Sequence, residues 1–202
     1  MRVGKSPVAL AVASGSERAY VANYGDGTVS VIDTVKNTVT ATVHVGTNPE
    51  GVAVAPDAKH AYVANGSSNS VSVIDTASST VTATVEVGMA PIGVAVAPDG
   101  KHAYATNRDS GTVSVIDTTS TVVATVPVGS GPMGVAITPD SKRAYTTNYL
   151  DGTVSVLDTG TGRVADPIRV GKYPSGVAVA PDGTRAYVTN LGDGTVSAIT
   201  IA

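Results

Sequence analysis

The residues with the most distinctive chemistry are Glu50 and Arg108, which interrupt otherwise repetitive loops. A carboxylate beside apolar neighbours acquires a raised pKa and can serve as a general acid or base. An arginine can hold a substrate carboxylate or phosphate through two hydrogen bonds. We predict that Glu50 and Arg108 are the catalytic pair. The alternative is a simple surface ion pair, Glu50–Arg108 or Glu50–Lys5.

Bulky and charged residues cluster in the loops that surround this pair. The candidate substrate-binding residues are Lys5, Tyr24, Asn48, Met89, Ile92, Met133, Tyr149, Lys172 and Tyr173. A mostly apolar concavity with a few charged groups is typical of a small-molecule site. The alternative is that loops simply vary more than the elements they connect.

These loops belong to a repeat that runs through the chain of 202 residues. An Ala-Tyr-x-x-Asn segment recurs with its tyrosine spaced by 42, 42, 41 and 42 residues. The marker tyrosines are Tyr20, Tyr62, Tyr104, Tyr145 and Tyr187. A period of this length indicates a repeat architecture. We therefore predict a single domain over residues 1–202, built from five repeats of about 42 residues.

Each repeat predicts four short antiparallel strands. The patterns Gly-Val-Ala-Val-Ala, Ala-Tyr-x-x-Asn, Thr-Val-Ser-Val-Ile-Asp and Thr-Val-Thr-Ala-Thr-Val are separated by Pro-Asp, Asp-Gly and Gly-x-x-Pro turns. Asp-Gly between alternating segments is a strong hairpin signal, and four strands per period of ~40–45 residues indicate a propeller blade. The predicted fold is an all-β, five-bladed β-propeller.

The repeats resemble those of the YVTN family of β-propellers, which includes surface-layer and other exported binding proteins. The motif stands here as Tyr187-Val188-Thr189-Asn190, and Pro-Asp-Gly, Thr-Val-Ser-Val-Ile-Asp-Thr and Val-Gly-x-x-Pro also match. The resemblance covers the whole chain and implies the propeller fold. Propellers of that family commonly have seven blades, whereas this chain has five repeats.

Closure of the ring is a separate prediction. The fifth repeat ends after its third strand, and Met1-Arg2-Val3-Gly4 matches the end of a fourth strand. We expect a closed ring of five blades in which the N-terminal stub completes the last outer strand. The alternatives are a fragment of a larger propeller, or a chain that pairs with a second one.

Several other motifs are better explained by structure than by chemistry. Gly129 to Gly134 matches G-x-G-x-x-G, but a strand follows where a dinucleotide site needs a helix. The Asp-Gly loops at Asp26, Asp151 and Asp193 lack the remaining ligands of a calcium loop. The repeated asparagines are expected to brace turns. The three histidines do not converge, so we predict no metal site and no cofactor.

Composition excludes several classes of function. The chain has 35 Val and 26 Thr but no Cys, which favours strands and excludes disulfides and thiol catalysis. Its net charge of −3 and lack of a basic stripe argue against nucleic-acid binding. No apolar run is long enough to span a bilayer, and no signal peptide precedes the repeats. As written we expect a cytoplasmic protein, or an exported one whose leader was removed, that is a monomer or weak homo-oligomer.

Two functions remain. The first is a cofactor-independent enzyme that binds a partly aromatic, anionic small molecule at the channel mouth for acid–base chemistry of the lyase, isomerase or condensation type. The second is a non-catalytic binding module for a protein, glycan or cell surface. Fold alone does not decide between them. The sequence as written has no leader and no added domain, which leads us to expect the first slightly more than the second.

Overall fold

The structure of the chain is a computed structural model that describes residues 1–15 and 17–201. The strands are β1 Pro7–Val12, β2 Arg18–Asn23, β3 Thr28–Asp33, β4 Thr38–His44, β5 Pro49–Val54, β6 His60–Asn65, β7 Ser70–Asp75, β8 Thr80–Glu86, β9 Pro91–Val96, β10 His102–Asn107, β11 Thr112–Asp117, β12 Val122–Pro127, β13 Pro132–Ile137, β14 Arg143–Asn148, β15 Thr153–Asp158, β16 Ile168–Arg169, β17 Pro174–Val179, β18 Arg185–Asn190 and β19 Thr195–Thr200.

The strands form five antiparallel sheets in chain order, which we call blades 1 to 5. Blades 1 to 4 have four strands each, so the all-β architecture of four-stranded antiparallel blades is confirmed. Consecutive strands are neighbours in each sheet because tight hairpin turns connect them. Gly27, Gly100 and Gly152 lie in such turns and adopt the left-handed backbone conformation that glycine favours. The innermost strands β1, β5, β9, β13 and β17 pack each against the next.

The hydrophobic core lies between blades. Tyr20 and Val29 of blade 1 pack against Val52, Val63 and Ile74 of blade 2, and the following pairs of blades repeat this arrangement. The second strands of blades 1 to 4 therefore present a tyrosine to the next blade, while the first strands of blades 2 to 5 present a valine to the preceding blade. The second and third strands are accordingly buried on both sides.

A buried asparagine ends each second strand, and in most blades it bonds to the segment that enters the blade. The amide nitrogen of Asn65 donates to the hydroxyls of Ser70 and Ser72, 3.2 and 2.9 Å away. Its Oδ1 accepts a hydrogen bond of 3.1 Å from the backbone of Gly46, in the segment that arrives from blade 1. Asn23, Asn148 and Asn190 make the same three bonds. The asparagines are structural, as predicted.

The inner strands of blades 2 to 4 approach the next blade so closely that a glycine is required at the contact. A Cβ at Gly93 would lie 2.3 Å from the carbonyl oxygen of Met133 in the next blade. A Cβ at Gly51 would likewise lie 2.3 Å from a carbonyl oxygen of the next blade, and a Cβ at Gly134 would lie 2.6 Å from one. Blade 1 has Ala9 at this position, so the approach of β1 to β5 admits a methyl group.

The predicted closure of a five-bladed ring is wrong. No packing of β17 against β1 comparable to that of the other inner strands occurs in the part of the chain that the structure describes. The outward faces of blades 1 and 5 carry exposed apolar side chains, among them Leu10, Val12, Tyr187 and Val196. The blades therefore form an open arc.

The N-terminal residues also do not complete the last blade. Blade 5 has three strands, β17, β18 and β19, and no fourth strand pairs with β19 among the described residues. Val3 packs instead against blade 1, and Gly4 donates to Asn23. This segment occupies the position of the connection that enters each later blade. Its Gly4 provides the asparagine of blade 1, Asn23, with the corresponding backbone hydrogen bond.

Gly93→Ala should destabilise the protein, and Gly176→Ala should do so much less. Both positions have a threonine oxygen 3.1 Å from the added Cβ, but only Gly93 also faces a carbonyl of the next blade. Overpacking of this kind costs about 1–3 kcal/mol. Urea unfolding of dilute protein would measure the difference, and equal losses would contradict the close approach.

Asn65→Ala should cost more stability than Asn107→Ala. Asn65 makes all three bonds, whereas Oδ1 of Asn107 is buried without a partner among the described residues. Since a hydrogen bond contributes about 1 kcal/mol, we expect the two losses of free energy of unfolding to differ by about that amount. Chemical denaturation monitored by circular dichroism would resolve it, and a larger loss for Asn107→Ala would refute the assignment.

Candidate functional site

Two loops of each blade are joined on one face of the arc, which we call the top face. In blade 4, the backbone of Tyr149 donates to Gly131 and that of Leu150 donates to Ser130. The same pair of bonds recurs in every blade. The loop that enters a blade and the loop that follows its second strand are thus held together. The sequence predicted this clustering of variable residues on one face, and the loop hydrogen bonds agree with it.

Three of the aspartates in these loops brace the backbone. Asp26, Asp151 and Asp193 each accept a hydrogen bond of 2.6 Å from a backbone amide 21 residues earlier. No cluster of three or more His, Cys, Asp or Glu suited to a metal ion occurs over residues 1–15 and 17–201. The Asp-Gly loops are therefore hairpin turns, as expected from their sequence.

Arg108 lies at a top-face cavity between blades 3 and 4. The cavity has a volume of about 700 Å³ and is lined by Arg108, Asp109, Ser110, Gly111, Ser130, Gly131, Tyr149 and Leu150. Nε of Arg108 donates to Oδ1 of Asp109 at 2.8 Å, and this bond raises the pKa of the guanidinium and lowers that of the carboxyl. The Nη groups of Arg108 have no partner among the described residues, so they remain available to a ligand.

Tyr149 extends the cavity into an aromatic platform. Its ring stacks on that of Tyr173, with the centroids 4.9 Å apart and the planes inclined by 23°. Tyr173 has a φ of 51°, a left-handed conformation that is uncommon for a bulky residue. The matching position has a positive φ in every blade, at Ser6, Asn48, Ala90 and Gly131. The repeat imposes this backbone, and blade 5 places an aromatic ring on it.

Glu50 is partly buried on the same face and makes no ion pair with Arg108 or Lys5 within 4 Å. Burial raises the pKa of Glu50, and the charge of Arg108 partly opposes this shift. Arg108 pairs with Asp109, and Lys5 lies 3.9 Å from Asp26. Both cations of the surface-pair alternative thus pair with other carboxylates, and the charge of Arg108 acts on Glu50 from beyond ion-pair distance.

The other predicted binding residues are spread along the top face. Asn48 connects two blades, since its amide donates to the carbonyl of Tyr24 at 3.3 Å and accepts from Ser67. Met89 and Lys172 are exposed, while Ile92 and Met133 are partly buried at the start of inner strands. Of the predicted set, only Arg108 and Tyr149 line the cavity together, and Tyr173 joins them through its stack.

Sequence reasoning missed Asp109 and Leu150, which both line the cavity. Asp109 follows Arg108 directly, so the sequence could have indicated that the carboxylate of Asp109 pairs with the guanidinium of Arg108. Leu150 is a large apolar residue in a turn, where the other repeats have smaller or charged residues.

The part of the chain that the structure describes contains no helix with the length and hydrophobicity of a membrane span.

Two family models match the chain, each over about half its length. A YNCE-like beta-propeller model matches residues 4–106, and a model of the cytochrome D1 heme domain matches residues 63–170. Together they support the predicted resemblance at the level of the propeller fold. The narrower YVTN-family assignment stays a prediction.

Solved structures show the same fold. A functionally unknown protein from Desulfotomaculum acetoxidans is 19% identical over 99% of this chain and 71% of its own, with a TM-score of 0.84. Hydrazine synthase of Kuenenia stuttgartiensis is 18% identical over 100% of this chain and 98% of its own, with a TM-score of 0.55. No curated protein gives a significant match. At these identities the likeness extends to fold alone.

The donor set of this chain does not fit a heme. Protein hemes are held by an axial His, Cys, Met or Tyr. The chain has no Cys, and His60 and His102 begin second strands at the end away from the top face. The third histidine, His44, ends the outer strand β4 of blade 1 and does not line the cavity. The cavity is lined by no Met, and its Tyr149 ring stacks on Tyr173. The lining of this cavity therefore does not fit a heme, and the match to the heme domain supports the propeller scaffold.

Glu50→Gln should stabilise the protein at neutral pH. Because burial raises the pKa of Glu50 in the folded state above the ordinary value of 4.5, Glu50 favours folding at lower pH, and this contribution is lost as the pH rises through the folded pKa. The advantage of the variant should vanish below the ordinary value. Thermal unfolding between pH 4 and 8 tests this, with exposed Glu86→Gln as control. A pH-independent difference would contradict the burial of Glu50.

Proposed function

Because the chain belongs to the YNCE-like β-propeller family, we propose that it uses the top face of this scaffold to bind a partly aromatic, anionic small molecule. The observation that carries the proposal is the cavity of about 700 Å³ that brings Arg108 and Tyr149 together. Such a volume suits a small organic ligand, and a few polar groups on an apolar wall provide orientation. The narrower YVTN-family assignment is compatible with this role but is not required for it.

Arg108 supplies the anion-binding group. Its bond to Asp109 occupies Nε and leaves both Nη groups for two oxygens of a carboxylate or phosphate. Asp109 holds the guanidinium in place, which reduces the conformational entropy lost on binding. The carboxylate of Asp109 also lowers the net charge of the cavity. A ligand with a single anionic group therefore suits this site better than a highly charged one.

Tyr149 and Tyr173 supply the surface for an aromatic ring. Offset stacking of aromatic rings contributes about 0.5–1.5 kcal/mol beyond the burial of area. Leu150 adds an apolar edge to the cavity, and the hydroxyls of Ser110 and Ser130 can bind polar substituents. The combination favours a planar ligand with one charged end.

Glu50 is the proposed acid–base group. Its raised pKa brings proton transfer closer to neutral pH, where a general base is most effective. Glu50 does not line the cavity, but the charge of Arg108 acts on its carboxylate. We propose that a ligand held by Arg108 extends across the top face to this carboxylate. We propose that Glu50 removes a proton from a carbon adjacent to a carbonyl of the bound ligand and returns one, as lyases, isomerases and condensing enzymes require.

A non-catalytic binding module is the second candidate. Met89, Leu150, Tyr173 and Leu191 are large apolar residues exposed on the top face. An apolar surface of this kind is also found where proteins contact each other. In this case the cavity would receive a side chain or sugar of a larger partner, and Glu50 would transfer no proton.

Phenylpyruvate is a suitable probe because it combines an aromatic ring, a carboxylate and an acidic methylene group. We expect binding by ligand-observed NMR, weakened about tenfold or more by Arg108→Ala through loss of a charge-assisted hydrogen bond. Tyr149→Ala should weaken binding less, and Arg163→Ala, at an exposed turn on the opposite face, should have no effect. Equal binding by Arg108→Ala would refute the site.

A separate experiment tests the proposed role of Glu50 as a base. It measures the exchange of the methylene protons of phenylpyruvate for deuterium in D₂O. If Glu50 is the base, the wild type accelerates exchange and Glu50→Gln reduces that acceleration by about 10²-fold or more while still binding the probe. Binding without accelerated exchange would favour the binding module. Exchange unaffected by Glu50→Gln would exclude Glu50 as the base.

A further inference from the structure

The last blade exposes a face that every earlier blade buries. Tyr187 of blade 5 is 43% exposed, whereas Tyr20 and Tyr104 at the same repeat position are 0% and 1% exposed. Val196 is 63% exposed, whereas Val71 is fully buried. In blades 1 to 4 this face packs against the next blade. Blade 5 therefore has the outward half of a blade interface without its partner.

The first blade exposes the opposite half. Leu10 is 62% exposed and Val12 is 63% exposed, whereas Val52, which matches Leu10 in blade 2, is 9% exposed. Val52 is buried because it packs in one cluster with Tyr20 of the preceding blade. Leu10 is thus the residue that a preceding tyrosine face would cover.

Polar groups at the two ends match in the same way. The hydroxyls of Thr106 and Thr147 donate to carbonyls of the next blade, those of Met133 at 2.6 Å and Ser175 at 2.9 Å. Thr189 occupies the same position in blade 5, where it is exposed and bonds only within its own blade. The corresponding acceptor at the start of a following blade is the carbonyl of Val8.

A second polar pair lies at the opposite edge of the interface. Arg18 of blade 1 donates to the carbonyl of Thr76 in blade 2. The residues at the matching positions of the two ends are Arg185 in blade 5 and Thr34 in blade 1. Thr76 is buried by this contact, while Thr34 is exposed. Apolar and polar groups therefore both match the register of the internal interfaces.

We propose that blade 5 of one chain docks on blade 1 of a second copy, head to tail, by the contact that joins successive blades within the chain. A second copy carries the required face in the required register, so the interface continues those already present between blades. Tyr187 would pack on Leu10, Thr189 would donate to Val8, and Arg185 would donate to Thr34. Such a contact is heterologous, so it leaves one free end of each kind unless the assembly closes into a ring.

Sedimentation of the wild-type chain over a range of concentrations is the first test. We expect species of at least twice the monomer mass of 20.1 kDa that increase with concentration. Leu10→Lys and Val196→Lys should each weaken association at least about tenfold, because a charge would be buried against an apolar face. Val35→Lys, at a turn that is also 62% exposed, is the matched control and should associate like wild type.

Mixing the two variants gives the decisive result. Leu10→Lys retains an intact blade 5, and Val196→Lys retains an intact blade 1, so the mixture should form a 1:1 dimer that cannot grow further. Circular dichroism checks that both variants are folded, and Val12→Lys and Tyr187→Lys replace either one that is not. A monomeric wild type, association unaffected by both substitutions, or a mixture that stays monomeric would each overturn the proposal. Arg108 and Tyr149 lie outside this interface, so the probe-binding experiment is independent of it.

Discussion

At the end of the second strand of most blades, a buried asparagine amide joins parts of the chain that sequence separates. Its nitrogen donates to two hydroxyls of the third strand, and its oxygen accepts from a glycine that enters the blade from the preceding one. A Cβ on that glycine would lie within 2.8 Å of the asparagine side chain. The connection must therefore have a glycine at this position. The hydrogen bond also holds the blade in place relative to its neighbour.

Packing follows from this constraint. Because the connections lie in equivalent places, each interface between blades joins a tyrosine of one blade to a valine of the next, and the core lies in these interfaces. Stability in such an array is approximately the sum of individual repeats and nearest-neighbour interfaces. The two end blades follow the same rule. Each carries the residues of one side of a blade interface, but these residues are exposed because no neighbouring blade covers them.

The candidate site makes use of what this scaffold leaves free. Loops on the top face are joined in pairs, and their left-handed positions recur in every blade, so their backbones are rigid while their side chains differ. Tyr173 stands at one such position, and Arg108 and Tyr149 follow the bracing asparagine of their own blades. Rigid backbones with variable side chains are the arrangement on which binding sites are most often built.

Much of the fold follows from local sequence. Alternating Val and Thr, Asp-Gly turns and the tyrosine period predict the strands, their order and the side on which the variable loops lie, because side-chain alternation and turn geometry depend on neighbouring residues. Glu50, Arg108 and Tyr149 were recognisable for the same reason, as departures from a repeat. Three features depended on tertiary structure: the open arc, the partner of Arg108, and the stack of Tyr149 on Tyr173. Closure depends on the rotation accumulated over all blades, and the contacts of the site depend on how loops of different blades approach in space, so no local pattern encodes either one.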